Sequence, residues 1–313
     1  MKKLFIVVPV YNEEAVLEDT AKVLSGVLLS LSEKGKISKD SKIVFVNDGS
    51  TDSSYGIIKK LSENEEFIGI SLSCNRGHQN ALLAGYEYAS GKCDAVITID
   101  ADLQDDTLVI ETMVDKFLEG VDIVYGVRND RSADSFFKRT SASMFYKLMQ
   151  SFGAKTVPNH ADFRLLSKRA LGALLDFKER NIFLRGMVPL VGFSSENVYY
   201  KRKPRVAGES KYPFRKMLSF AAEGITSFSI KPLRLITYMG LIVFLISILM
   251  MIYVVVRFIA GATVAGWSSI VISLWAIGGL LLLSVGIVGE YVGKIYLEVK
   301  NRPLYVIDEI CGE

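Results

Sequence analysis

Two stretches in the last third of the sequence, Leu235–Val256 and Ile270–Gly289, contain no charged residue. Each is about as long as the roughly 20 apolar residues that cross a hydrocarbon core. Uncharged runs of this length are uncommon inside a soluble domain, so both are expected to be transmembrane helices, with the second reaching about residue 293. Basic residues set their direction. Arg202, Lys203, Arg205, Lys211, Arg215, Lys216, Lys231 and Arg234 crowd the approach to the first span, and Lys294, Lys300 and Arg302 follow the second. The connecting segment Arg257–Ser269 holds only Arg257. The positive-inside bias then predicts a multi-pass protein of the inner (cytoplasmic) membrane, with both termini cytoplasmic and a short hairpin loop outside.

The opening residues Met1-Lys2-Lys3 and the apolar run Leu4–Val10 superficially suit a signal peptide. The run is too short, acidic residues follow at once, and no small-residue cleavage site appears, so a first β-strand is the better reading. Beyond it, β-branched runs alternate with helical patterns, the mark of a parallel sheet wrapped by helices. Strands are expected near Leu4–Val8, Ile43–Val46, Ile68–Ser71, Ala95–Ile99, Ile123–Tyr125 and Ser195–Lys201. Helices are expected over Glu14–Ser32, Asp52–Glu63, Gln79–Ser90, Lys138–Phe152 and Lys168–Phe177. Tyr212–Ser229 mixes aromatic and basic residues as an interfacial amphipathic helix does. The expected organisation is a catalytic α/β domain over 1–206, an acceptor loop and juxtamembrane helix over 207–234, the two spans over 235–293, and a cytoplasmic tail over 294–313.

In an open sheet of this kind ligands bind outside the carboxyl ends of the strands, and the suspicious residues fall there. The strongest cluster is Ile99-Asp100-Ala101-Asp102-Leu103-Gln104-Asp105-Asp106. Two carboxylates at i and i+2 on a turn can converge on one hard cation and leave positions for phosphate oxygens. Asp105 and Asp106 read instead as a solvated acidic helix start. Pro9-Val10-Tyr11-Asn12-Glu13-Glu14 and Asn47-Asp48-Gly49-Ser50-Thr51-Asp52 follow the first two strands, with Asp52 as a helix N-cap. Neither is a glycine-rich dinucleotide loop or a P-loop; they suit gripping a base and ribose by their edges. His78 and His160 read as structural or loop histidines. The three cysteines, Cys74, Cys93 and Cys311, have no metal or redox spacing and suggest a reduced compartment. A net charge of +3 gives no case for nucleic acid.

As a set, these segments resemble the family 2 glycosyltransferases of GT-A fold. The match continues through Asn75–Gly91, Ala161-Asp162-Phe163-Arg164-Leu165, Phe183-Leu184-Arg185-Gly186, Gly208-Glu209-Ser210-Lys211-Tyr212 and Gly289-Glu290-Tyr291-Val292-Gly293-Lys294. Those later segments resemble the polyprenyl-phosphate glycosyltransferases, which include bactoprenol glucosyltransferases and dolichol-phosphate mannose synthases. The resemblance implies a Rossmann-like, mostly parallel sheet plus a two-helix transmembrane hairpin. It also implies transfer of a sugar from a nucleotide sugar, such as UDP-glucose, to polyprenyl (undecaprenyl) phosphate with inversion. Pro9, Tyr11, Glu13, Asp48, Asp100 and Ala101 would bind the nucleotide. Asp100, Asp102 and Gln104 would hold Mg2+ or Mn2+. Arg128 would meet phosphate, Arg205 and Lys211 the lipid phosphate, and Asp162 matches the carboxylate proposed as base. The family also raises a homo-oligomer, a tetramer, as an expectation.

A lipid phosphate monoester already carries about −1.5 to −2 charge near neutral pH, so it needs no base, and Asp162 is left as either base or positioning group. A processive polysaccharide synthase is disfavoured because no Q-x-x-R-W motif is present. A non-catalytic nucleotide-sugar-binding scaffold is disfavoured by the intact acidic motif.

Overall fold

β1 (Leu4–Val10) is buried along its whole length, as a strand must be when helices cover both faces of its sheet. The computed structural model of the chain describes residues 1–128, 160–180, 182–201, 231–259 and 267–313. Parallel to β1 run β2 (Lys42–Asn47) and β4 (Ala95–Thr98), and β3 (Phe67–Leu72) extends the sheet beyond β2. On the other side lie β5 (Ile123–Arg128), β6 (His160–Ser167) and β7 (Ser195–Tyr200), and β8 (Ile307–Cys311) closes the far edge. The order is β7-β5-β6-β4-β1-β2-β3-β8. β6 runs antiparallel between β4 and β5, and β8 antiparallel to β3. The α/β, mostly parallel sheet expected of a GT-A domain is therefore present.

Successive strand residues point to opposite faces. Leu4, Ile6 and Val8 join one core with Leu17, Ala21, Leu24 and Leu28 of α1 (Leu17–Glu33), Ile58 of α2 (Ser54–Leu61) and Met113 of α4 (Val109–Leu118). α3 (His78–Ala89) packs over β1 and β2 from the other face. It sits so close that a Cβ on Gly85 would fall 2.3 Å from Val7 Cγ1. α5 (Lys168–Leu175) contacts α3, and α6 (Leu184–Met187) leads into a 3-10 turn over Val188–Val191.

The described residues from Met1 to 201, together with Arg302–Glu313, form one compact unit, and those from 231 to 301 form another. The second contains α7 (Lys231–Ile259) and α8 (Trp267–Lys300), which contact each other. The first expected span lies inside α7 and the second inside α8. Ile277–Lys300 is long and apolar enough to cross a membrane by length and composition. α8 runs past the boundary expected at 293 because Ile295, Tyr296, Leu297 and Val299 continue its apolar exposed surface. It ends at Asn301, whose φ of +46° is the left-handed turn that stops a helix, two residues before Pro303.

Other differences have simple causes. β6 was not expected as a strand because its centre carries Asp162 and Arg164, both buried. Residues 307–311, expected within a tail, form β8. Asp52 is not the N-cap of α2; Ser53 is, while Asp52 Oδ1 accepts the Ser54 amide at 3.0 Å. The helix expected at Lys138–Phe152, the amphipathic segment Tyr212–Ser229, Arg205 and Lys211 lie outside the described residues.

Candidate active site

The carboxyl ends of β1, β2, β4 and β5 open on one edge of the sheet. Because β6 runs the other way, its first residues reach the same edge. The two motif loops after β1 and β2 are laced together there. Asn12, at φ +54°, accepts the Thr51 amide on Oδ1 at 2.8 Å and donates its own amide to Ser50 Oγ at 3.1 Å. Glu14 bonds in both directions with Asp52-Ser53: its amide reaches Asp52 Oδ2 at 3.2 Å, and its Oε2 accepts the Ser53 amide at 2.9 Å. The Glu13 amide donates to Ser54 Oγ at 2.9 Å. Much of both motifs thus shapes the loops, and Tyr11 is left 47 % exposed at their rim.

Pro9 lies within β1 opposite Val46 and is buried. Val7 accepts the Ile99 amide on the β4 side, so Pro9, two residues on, faces the same side beyond the end of β4, where no ladder donor is required. Asp48 is also buried; the amides of Arg76 and Gly77 donate to its two oxygens at 2.7 and 2.9 Å. Burial raises its pKa, against the pull of those amides. Ala101 is buried and its carbonyl accepts Thr20 Oγ1 at 2.7 Å, which ties the acidic turn to α1.

On that turn Asp102 Oδ1 accepts the Gln104 amide at 3.2 Å, with Leu103 between them at φ +50°. Gln104 is buried. Asp105 departs from expectation: it is not a solvated helix start, since α4 begins only at Val109. Asp105 is 2 % exposed, and its Oδ1 accepts Arg128 Nη2 at 3.1 Å and the Tyr200 hydroxyl at 2.5 Å, while Oδ2 has no hydrogen-bond partner among the described residues. Arg128, expected at phosphate, is therefore held by a carboxylate at the end of β5. Asp106 also lies ahead of α4, where it accepts the Leu108 amide at 3.3 Å.

The densest cluster centres on Asp162. It accepts from fully buried Arg164, from Arg185 Nε at 3.2 Å and from Arg185 Nη2 at 2.8 Å. His78 Nε2, in the first turn of α3, lies 3.4 Å from Asp162 Oδ2 and 3.8 Å from Asp100 Oδ1. Burial opposes ionisation of Asp162, yet His78, Arg185 and Arg164 hold its pKa well below the usual carboxylate range. Asp100 moves the other way, raised by burial and by the carboxylates of Asp105, Asp162 and Asp102 against the effect of His78. Burial lowers the His78 pKa, but its contacts with Asp162 and Asp100 more than offset this and leave it raised.

His78, Arg164, Arg185, Asp105 and Tyr200 were not assigned to the site from sequence. A signal existed for one of them, Arg164. Asp162 and Arg164 stand at i and i+2, so any strand over 160–167 puts them on one face. The acidic turn carries the hard oxygen donors of Asp100 and Asp102 two residues apart, a donor set that fits a divalent cation. Among the described residues no three His, Cys, Asp or Glu side chains converge as a ready-made cage, so such an ion would take one or two carboxylates and the substrate's own phosphate oxygens, as magnesium commonly does.

Residues 5–175 match the glycosyl transferase family 2 domain. The chain belongs to this family. Among relatives of the glycosyltransferase, the uncharacterized glycosyltransferase YkoT of Bacillus subtilis is 51% identical over 97% of this chain and 91% of its own. The SfII prophage-derived bactoprenol glucosyl transferase of Shigella flexneri is 41% identical over 97% of both chains. The structure of glucosyl-3-phosphoglycerate synthase from Mycobacterium tuberculosis is similar over 72% of this chain and 79% of that one, at 17% identity and a TM-score of 0.46.

Proposed function

We propose that this glycosyltransferase moves a sugar from a nucleotide-diphosphate sugar, a UDP-sugar such as UDP-glucose, to polyprenyl (undecaprenyl) phosphate at the cytoplasmic face of the inner membrane, inverting the anomeric carbon. The observation that carries the acceptor is the extent of the likeness to the Shigella bactoprenol glucosyl transferase, which spans 97% of both chains and so includes the apolar helices. A soluble sugar acceptor would give no use for that second unit; a lipid phosphate does.

The roles follow from the edge of the sheet. Tyr11, Glu13 and Asp48, with the backbone around Pro9 and Ala101, bind the nucleoside. Asp100 and Asp102, with Gln104 beside them, hold Mg2+ or Mn2+ against the donor diphosphate. When bound, such an ion neutralises charge on the departing nucleoside diphosphate. Arg128, fixed by Asp105, faces phosphate, and Arg205 and Lys211 draw in the lipid phosphate, since two anionic substrates must meet against their repulsion. The phosphate monoester attacks without help, and Asp162 organises Arg185 and His78 instead of removing a proton. α7 and α8 cross the bilayer as a hairpin, and β8, a strand of the catalytic sheet, returns the chain to the cytoplasmic side.

The test is release of nucleoside diphosphate by detergent-purified protein given a panel of UDP- and GDP-sugars, with and without undecaprenyl phosphate. Release from one sugar nucleotide that requires the lipid phosphate is expected. Equal release without the lipid, or none from any donor while the nucleotides still bind, would sink the proposal and leave a hydrolase or a binding scaffold.

A further inference from the structure

The chain leaves α8 and, within a few residues, becomes part of the catalytic sheet. β8 pairs with β3 in the register Gly69↔Cys311, Ile70↔Ile310, Ser71↔Glu309 and Leu72↔Ile307. Side chains fasten it further. Glu309 accepts the Tyr55 hydroxyl at 2.7 Å and Lys59 Nζ at 2.8 Å, Tyr305 donates to Glu87, and Lys92 pairs with Glu313. The end is seated closely as well: Gly312 has φ +81°, and a Cβ there would fall 2.3 Å from the Phe67 carbonyl oxygen and 3.0 Å from that of Ser62.

A lone edge strand could be ordinary cover for unpaired backbone groups. The contact just before β8 points to more. The Val306 carbonyl accepts the Ser73 amide at 2.9 Å. Ser73 opens the segment that links β3 to α3, and at its other end Arg76 and Gly77 hold both oxygens of Asp48. The C-terminal segment therefore fixes one end of this link, and Asp48 fixes the other. A loop held at both ends has less freedom to lose when a ligand is seated against it, which raises affinity without adding a contact.

We infer that residues 305–313 position the nucleotide-binding edge, acting on the donor through Ser73 and the Asp48 clamp; this rests on the donor site proposed above. It predicts a split between the substrates, because the segment reaches the donor edge through the Ser73–Val306 bond.

UDP binding by calorimetry and the KM for undecaprenyl phosphate would be measured on the full-length protein, on a chain ending at Arg302, and on full-length Gly312→Val. UDP affinity should fall about tenfold or more in both altered proteins, while the lipid KM stays within about twofold. A peptide of residues 303–313 should restore UDP binding to the shortened chain. Unchanged UDP affinity in the shortened chain overturns the inference. If that chain does not fold, so does unchanged affinity in Gly312→Val once its β8 amides exchange freely. Equal losses for donor and lipid also overturn it, because they mark general loosening. A parent protein that binds neither UDP nor GDP instead removes the donor site itself, and this inference with it.

Discussion

Arg185 grips Asp162 with two nitrogens of one guanidinium, Nε 3.2 Å from Oδ1 and Nη2 2.8 Å from Oδ2. Arg164 also donates to Oδ1, and His78 Nε2 stands 3.4 Å from Oδ2. An ionised carboxylate offers about four acceptor positions; three guanidinium N–H groups occupy three of them here, and His78 stands beside the fourth. A group in that state is a weak proton acceptor and a firm anchor. Its ionisation is coupled to the burial of Arg164, which has no exposed surface.

Asp162→Asn should therefore cost stability as well as activity. Removing one partner of a buried ion pair leaves an uncompensated charge and typically costs about 3–5 kcal/mol. In a unit of this size that corresponds to a fall of about 10 °C in the unfolding midpoint, readable by thermal unfolding of purified protein. A residue that served only as a general base would lose activity with its midpoint unchanged. That result would return Asp162 to proton transfer.

The sheet and most of its helices were legible because their apolar residues keep period 2 or 3.6. What escaped were elements whose sequence carries the cost of function or of an edge. β6 places a carboxylate and a guanidinium in the middle of a sheet, so it lacks the apolar run that marks its neighbours. β8, Ile307–Cys311, alternates Asp308 with Ile307 and has too few residues to stand out from a polar tail. At the site, the motifs located the correct strand ends, but pairings such as Asp105 with Arg128 and His78 with Asp162 join residues 23 and 84 positions apart in numbering. Local pattern cannot show them, and adjacency to Asp106 made Asp105 look like a solvated helix start.

Acid stability offers a second measurement, away from the site. Asp122 is buried and holds Arg169, Ser194 and Ser167, and the Arg169 bond foremost lowers its pKa from an ordinary 3.8 to about 2. Since the folded value is depressed, this carboxylate's contribution is fully present above its unfolded pKa and is lost as pH falls from about 4 through 2. Arg169 is largely exposed, so solvent screening keeps the effect small. Asp122→Asn should lower the midpoint at pH 7 and make it less sensitive to acid between pH 4 and 2. An unchanged slope of midpoint against pH would rule the linkage out.

Membrane topology can be read independently of chemistry. With basic residues before α7 and after α8, a reporter fused at Gly261 should mark the outside, and reporters on the N-terminal unit and after Glu313 the cytoplasm. β8 adds a physical constraint, since the strand can join β3 only if the chain leaving α8 emerges on the side of the sheet. A cytoplasmic signal at Gly261 would remove the hairpin.

The mechanism itself turns on Asp102. Asp102→Asn keeps the shape of the turn and can still accept the Gln104 amide, but it removes one of the few charges available to a hard cation. Loss of one preorganised electrostatic stabiliser typically costs a hundred- to a thousand-fold in rate, and here binding of the ion would weaken too. Transfer should fall by at least about a hundredfold while the unfolding midpoint stays near that of the parent, because relieving repulsion among Asp100, Asp102 and Asp105 offsets the lost contacts. Asp106→Asn, which only loosens the lead-in to α4, should stay within a few-fold of parental activity. Asp105→Asn belongs between them: it frees Arg128 and Tyr200, so activity and stability should fall together. Chelator should silence the parent enzyme, and added magnesium or manganese should restore it. Near-normal transfer by Asp102→Asn, or full activity of the parent in chelator, would show that departure of the nucleoside diphosphate is stabilised by the protein's own cations, with Arg128 and Arg185 the first to examine.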